Sequence, residues 1–184
     1  MAQATLAGET LEVGNDSQLS YHTTRINRWT FQNRKMRQWV EQRLQGRVLN
    51  ACAGKTKLVH DHEIVRNDID EDRDADLHVD VRELHRHLEA GTFDSAILDP
   101  PFDAGRGEKL YEGMHANDYI AAREALAPLV KRGGLYIELG WNSWGLAGKD
   151  DWERVEAHHY RQPFKGDVWI LVDRRIDQRT LFEQ

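Results

Sequence analysis

The stretch FDSAILDPPF, residues 93–102, joins an apolar run to an acid, two prolines and an aromatic ring. The apolar part has the length and composition of a buried strand. Pro100 and Pro101 have no backbone N–H and hold φ near about −65°, so they cannot continue the hydrogen bonding of a central strand. The pattern predicts a buried strand that ends at Asp99, with Phe102 just beyond it.

Strand-like and helix-like runs alternate on both sides of this stretch. The other predicted strands are RVLNACAG (47–54), EIVRNDID (63–70), LHVDV (77–81), LYIELGW (135–141), RVEAHHYRQ (154–162) and DVWILVDRR (167–175), and the predicted helices run from Asn33 to a stop at Gly46, over 82–91 and over 117–134. This order predicts an α/β fold: an open, mainly parallel sheet of about seven strands, with a C-terminal antiparallel hairpin and helices on both faces. The small, polar residues 1–20 predict a flexible arm, and residues 21–184 a single domain.

Length and composition bound the class of protein. A chain of 184 residues with 40% hydrophobic residues can bury the core of one domain without help from disulfides or metal ions. No apolar run approaches the roughly 18–20 residues that span a bilayer, and the N-terminus lacks the features of a signal peptide. The single cysteine, Cys52, excludes an internal disulfide framework. We therefore expect a cytoplasmic protein.

Charge is unevenly distributed along the chain. The net charge is −6, yet residues 22–47 hold seven basic residues and one acid, Glu41. This basic segment is either a surface that faces nucleic-acid phosphates or a solvated helix whose arginines pair with the acidic remainder.

Ligands of open α/β sheets bind beyond the carboxyl ends of the strands, and here those ends carry polar residues. Asp68 lies 18 residues after Asn50, at the end of the second predicted strand of the parallel sheet. A carboxylate at this place can accept hydrogen bonds from both hydroxyls of a ribose. Asp70 is the alternative.

Together these strand ends resemble the Rossmann-like, class I S-adenosylmethionine-dependent methyltransferases. VLNACAGKTKL looks like the family's first motif, with Asn50, Ala51 and Gly54 toward the cofactor's amino-acid moiety. The family often has an acid at the place of Asn50 and a second glycine at the place of Thr56. The resemblance assigns Asp68 to the cofactor's ribose and Asp80 to its adenine.

DPPF resembles the motif of methyltransferases that modify exocyclic or amide nitrogens, above all adenine N6 in DNA. Asp99 and the carbonyl of Pro100 can accept the two protons of an amine, the rigid Pro100–Pro101 unit aims these acceptors, and Phe102 offers a face for stacking a base. The resemblance predicts an N-methyltransferase that uses S-adenosylmethionine and binds DNA. An RNA base as substrate and a non-catalytic binding module are the alternatives, and protein glutamine methylases share related motifs.

The resemblance leaves substrate recognition to segments inside this one domain, because the chain has no room for a separate target-recognition domain. We assign substrate binding to Arg106, Lys109 and Tyr111 of the loop 103–117 and to Trp141 after the fifth strand. RWTFQNRK (28–35) occupies the place of a cofactor-contacting segment in some adenine methylases. No metal site is predicted, because the histidine pairs around residues 60–62 and 85–87 lack confident strand placement and cysteine partners.

Overall fold

The computed structural model describes residues 10–13, 17–23, 29–100, 119–141, 145–161 and 166–177. Within these ranges the strands are β1 (Thr10–Val13), β2 (Ser17–Thr23), β3 (Val48–Asn50), β4 (Ile64–Arg66), β5 (Phe93–Leu98), β6 (Val130–Gly140), β7 (Trp152–Arg161) and β8 (Val168–Arg175). The α-helices are α1 (Arg34–Glu41) and α2 (Tyr119–Leu126), and short 3-10 helices cover Thr30–Gln32, Val81–Arg86 and Ala127–Leu129.

The described strands form one mixed sheet in the order β1-β2-β7-β8-β6-β5-β3-β4. β4, β3, β5 and β6 are parallel to one another. β8 lies between β6 and β7 and is antiparallel to both. The predicted α/β fold, with its C-terminal antiparallel hairpin, is confirmed.

Apolar side chains cover both faces of the sheet. On one face α1 packs Met36 and Val40, both fully buried, against Ile97 and Ile137 of β5 and β6. On the other face α2 and the 3-10 helix Val81–Arg86 pack on Leu98 and Tyr136. Each fully buried large apolar side chain contributes about 1.5–3 kcal/mol, so these two layers dominate the stability of the fold.

A buried ion pair lies within the second layer. Arg123 of α2 donates to Glu138 of β6 at 2.6 Å, and the Tyr136 hydroxyl donates to the same carboxylate at 2.8 Å. Arg123 and Glu138 are almost completely buried. The pair therefore fixes α2 on the sheet close to the carboxyl end of β6.

The N-terminal region differs from the predicted flexible arm. β1 and β2 form a hairpin, and β2 adds to the far edge of the sheet by parallel pairing with β7. The Ser20 hydroxyl also contacts Nδ1 of His158, a fully buried side chain of β7. Residues of the predicted arm thus belong to the sheet, which the small, polar composition of this region did not indicate.

Two other elements differ from the sequence predictions. The predicted strand 77–81 makes only an isolated bridge, between Asn67 and Leu77, because the Asn67 side chain bonds both the N–H and the carbonyl of Val79. The helix predicted over 117–134 ends near Pro128, and β6 begins at Val130, which pairs with Phe93. The extra residues before Leu135 form a bulge in β6.

Three arginines of the basic segment, residues 22–47, form ion pairs with acids. Arg37 pairs with Glu41 at 3.6 Å, Arg43 with Glu156 at 2.7 Å and Arg47 with Glu63 at 2.7 Å. For these three arginines the structure favours pairing with acids over a free phosphate-facing surface. In the part of the chain that is described, no helix is both long and apolar enough to cross a membrane.

Candidate active site

Most of the predicted site residues that the structure describes lie at or just after the carboxyl ends of β3, β4 and β5, whereas Asp80 precedes the 3-10 helix Val81–Arg86 and Trp141 follows β6. Cys52, two residues after β3, marks their meeting point. Burial raises the pKa of the Cys52 thiol well above its usual value, and the nearby carboxylates of Asp68, Asp99 and Asp80 raise it further. Three acids from different segments of the chain therefore lie near one side chain at this edge of the sheet.

The turn after β3 is built on Gly54 and Asp68. Gly54 has a φ of 55°, in the left-handed region that favours glycine. Its N–H donates to Oδ2 of Asp68 at 2.7 Å, and Oδ1 of Asp68 accepts the N–H of Asp70 at 3.1 Å. Asp68 is 2% exposed. A carboxylate has about four lone-pair sites, so Asp68 keeps acceptor capacity beyond these two bonds.

Arg66 holds the same turn in place of a helix. Its guanidinium donates to the carbonyls of Gly54 at 3.2 Å and Thr56 at 3.4 Å, and its Nε donates to the carbonyl of Asp74 at 2.9 Å. No helix is present among residues 51–63. The backbone N–H and carbonyl groups of the turn are therefore held by the side chains of Asp68 and Arg66.

Asn50, the last residue of β3, carries a side-chain amide that has no partner in the described part of the chain. It is fully buried, and neither Nδ2 nor Oδ1 has a hydrogen-bond partner among the described residues. A buried amide without hydrogen bonds is unfavourable in free energy. A polar ligand that bonded both atoms would remove this cost.

Ala51 and Asp80 have structural partners. Ala51 is buried, and its carbonyl accepts from Asn67 at 3.0 Å. Asp80 caps the 3-10 helix Val81–Arg86 by accepting the Arg82 N–H at 3.0 Å. A side-chain bond from the Arg82 guanidinium holds the pKa of Asp80 below its usual range. Asp80 thus remains ionised beside Cys52, with its carboxylate paired.

Asp99 follows β5 as a partly buried acid, and Pro100 is buried. Burial raises the pKa of Asp99 to about 7, against one opposing contribution from a hydrogen bond that Thr30 donates to Oδ1 at 3.1 Å. Oδ2 has no partner in the described part of the chain. Pro101, Phe102, Arg106, Lys109 and Tyr111 lie outside the described residues.

Tyr119 and Trp141 flank the end of β6. The Tyr119 hydroxyl donates to the Leu139 carbonyl at 3.2 Å and lies over Gly140, where an added Cβ would be 3.4 Å from it. Burial raises the pKa of Tyr119 well above its usual value, and Asp99 adds to this shift. Trp141 is 47% exposed, beside Gly166. The structure places Tyr119 near Asp99, a position that the sequence did not indicate.

Trp29 and Thr30 connect the Gly54 turn to Asp99. The Trp29 ring lies over the turn, since a Cβ added to Gly54 would be 3.5 Å from its Cε3. The side chains of Lys55 and Arg73 flank the same ring, at 5.7 Å and 5.3 Å from its centroid. Thr30 carries no sequence pattern of its own. The position of RWTFQNRK before the first motif was the available signal.

No group of three or more His, Cys, Asp or Glu side chains in the described ranges is arranged to hold a metal ion. No protein-family model matches the sequence, and no curated protein is similar to it at a significant level.

Solved structures of methyltransferases share the fold. The chain is similar to 1,6-didemethyltoxoflavin-N1-methyltransferase from Burkholderia thailandensis, with 15% identity, a TM-score of 0.54, and coverage of 75% of this chain and 74% of that one. That structure contains 1,6-didemethyltoxoflavin and S-adenosylhomocysteine.

Two further structures show the same similarity. TrmN from Thermus thermophilus is 17% identical with a TM-score of 0.54, over 77% of this chain and 48% of TrmN, so this chain spans about half of TrmN. A methyltransferase homologue from Pyrococcus horikoshii is 14% identical with a TM-score of 0.50, over 72% of this chain and 62% of that one. The chain therefore has the Rossmann-like fold of the class I, S-adenosylmethionine-dependent methyltransferases.

Proposed function

We propose that the protein is an S-adenosylmethionine-dependent methyltransferase that modifies an exocyclic amine of a nucleic-acid base, first of all adenine N6 in DNA. The observation that carries this proposal is Asp99, an acid at the end of β5 with one oxygen held by Thr30 and the other without a partner among the described residues. Together with Pro100 it begins the DPPF motif. An RNA base is the second candidate.

The cofactor would lie along the turn after β3. The left-handed Gly54, the free acceptor capacity of Asp68 and the unpartnered amide of Asn50 offer the backbone approach and the polar partners for its amino-acid and ribose groups. When bound, S-adenosylmethionine supplies a methyl group activated by the positive charge on its sulfur, and its transfer to an amine releases one proton.

The residues at Asp99 act on the amine. An exocyclic amine is a weak nucleophile because its lone pair is delocalised into the ring. The Oδ2 atom of Asp99 and the Pro100 carbonyl would accept its two hydrogens, which favours the pyramidal nitrogen that attacks, and Asp99 would take the released proton. A pKa of about 7 suits a group that exchanges protons near neutral pH. Positioning and acceptor hydrogen bonds account for this mechanism.

Transfer of a tritiated methyl group from S-adenosylmethionine to separate DNA, RNA and protein pools tests the proposal. We expect label in adenine N6 of DNA. The variant Asp99→Ala should lose about 10²-fold or more in turnover with unchanged affinity for S-adenosylhomocysteine, and the same change at the exposed Asp150 should alter neither. Label in RNA alone would select the second candidate, and unchanged turnover in Asp99→Ala would remove Asp99 from the mechanism.

A further inference from the structure

A single side-chain hydrogen bond holds the carboxylate of Asp99. The Thr30 hydroxyl donates to Oδ1 at 3.1 Å, across 69 residues of sequence. In the described part of the chain, Asp99 has no other side-chain partner. The bond therefore divides the two oxygens: Oδ1 faces Thr30, and Oδ2 is available to a substrate.

The residues that precede and follow Thr30 in the sequence hold it in position. Phe31, the next residue, is 3% exposed and belongs to the core beneath α1. Asn33 then caps α1 by accepting the N–H groups of Lys35 at 3.0 Å and Met36 at 3.1 Å. On the other side, the ring of Trp29 packs over the Gly54 turn. The hydroxyl is thus presented by a short 3-10 helix that the core and the helix cap hold in place.

We propose that Thr30 is a positioning residue, whose hydroxyl fixes the orientation of the Asp99 carboxylate so that Oδ2 points to the amine. This role rests on the proposed function. Thr30 does not contact the amine itself. It acts through Asp99, and it ties the geometry of that acid to the segment that also covers the cofactor turn.

The groups around Asp99 make this role measurable. Burial raises the pKa values of Cys52 after β3 and Tyr119 of α2 well above their usual ranges. The charge of Asp99 contributes to both shifts. Both side chains are therefore neutral near pH 7. Asp68 and Asp80 are the further acids around Cys52. Thr30 is the group that lowers the pKa of Asp99 against the effect of burial.

Thr30→Val removes the hydroxyl and keeps the shape of the side chain, Thr30→Ala removes it with a smaller side chain, and Thr30→Ser keeps it. Thr92→Val is the matched control, because the Thr92 hydroxyl donates to the Glu89 carbonyl at 2.8 Å at the opposite end of the sheet. The probe is the carboxyl ¹³C signal of Asp99 in the full chain, titrated by NMR and assigned by its loss in Asp99→Asn.

We expect the pKa of Asp99 to rise by about one pH unit in Thr30→Val and Thr30→Ala, because the lost bond stabilised the charged form, and to stay at its original value in Thr30→Ser and Thr92→Val. Turnover of Thr30→Val should fall about fivefold at pH 7, as the ionised fraction of Asp99 falls, and recover at higher pH. An unchanged pKa in both Thr30→Val and Thr30→Ala would overturn the proposal. A protein without affinity for S-adenosylhomocysteine would overturn the proposed function, while the NMR result would still stand.

Discussion

At Asp99, burial of the carboxyl disfavours its charged form and so raises its pKa. The end of β5 partly buries the carboxyl, and the two prolines that follow in the sequence have no backbone N–H groups that could stabilise its charge. One hydroxyl, from Thr30, offsets part of this cost. The result is an acid whose pKa of about 7 lies well above the usual 3.8 and whose second oxygen remains an acceptor.

Asp99→Asn should change how stability depends on pH. The folded protein keeps the proton of Asp99 up to about pH 7, whereas the unfolded chain releases it near pH 3.8. Stability is therefore lost as pH rises from about 4 through 7. The variant cannot ionise, so its free energy of unfolding in urea should exceed that of the wild type at pH 8 and match it more closely at pH 4.5. An equal difference at both pH values would contradict the raised pKa of Asp99, and Asp150→Asn serves as the exposed control.

The turn after β3 is the element that carries the candidate cofactor site. In this chain the turn is held by Arg66 and Asp68 rather than by the first turn of a following helix. Its conformation therefore depends on one left-handed glycine and a few side-chain bonds. A substitution of Gly54 should therefore weaken ligand binding more than it perturbs the overall fold.

Gly54→Ala tests this dependence against Gly91→Ala. Both glycines have positive φ, 55° and 64°, and an added Cβ has no close clash at either position. Each substitution should cost about 1–2 kcal/mol of stability through backbone strain. Calorimetry with S-adenosylhomocysteine should show at least about tenfold weaker binding, equivalent to 1.4 kcal/mol, for Gly54→Ala alone. Equal affinities for the two variants would contradict the placement of the cofactor at this turn.

Periodicity and strand composition were sufficient to predict α1 and the main strands of the sheet, but not the elements whose hydrogen bonds run through side chains. Asn67 replaces part of a strand ladder with side-chain bonds to Val79, so the run 77–81 has the composition of a strand without its pairing. The helix predicted over 82–91 is a 3-10 helix that ends at Arg86. The early start of β6 at Val130 follows from pairing with Phe93, a non-local contact.

At the scale of the whole molecule, the sheet order brings the candidate site together. Asn50, Asp68 and Asp99 come from three different strand ends, and the parallel arrangement of β4, β3 and β5 places these ends at one edge. The rule for open α/β sheets predicts this edge from the sequence. The link from Thr30 to Asp99 and the hairpin of β1 and β2 at the far edge depend on tertiary contacts that no local pattern encodes.

We infer that this edge of the sheet binds S-adenosylmethionine, and calorimetric titration of the full chain with S-adenosylhomocysteine is the decisive experiment. We predict saturable binding to one site per chain. Thermal unfolding with the ligand at 100 times its Kd should then show a stabilisation of about 2.7 kcal/mol. The absence of both a binding heat and a shift in Tm would contradict the claim and leave a protein that has the methyltransferase fold without its cofactor.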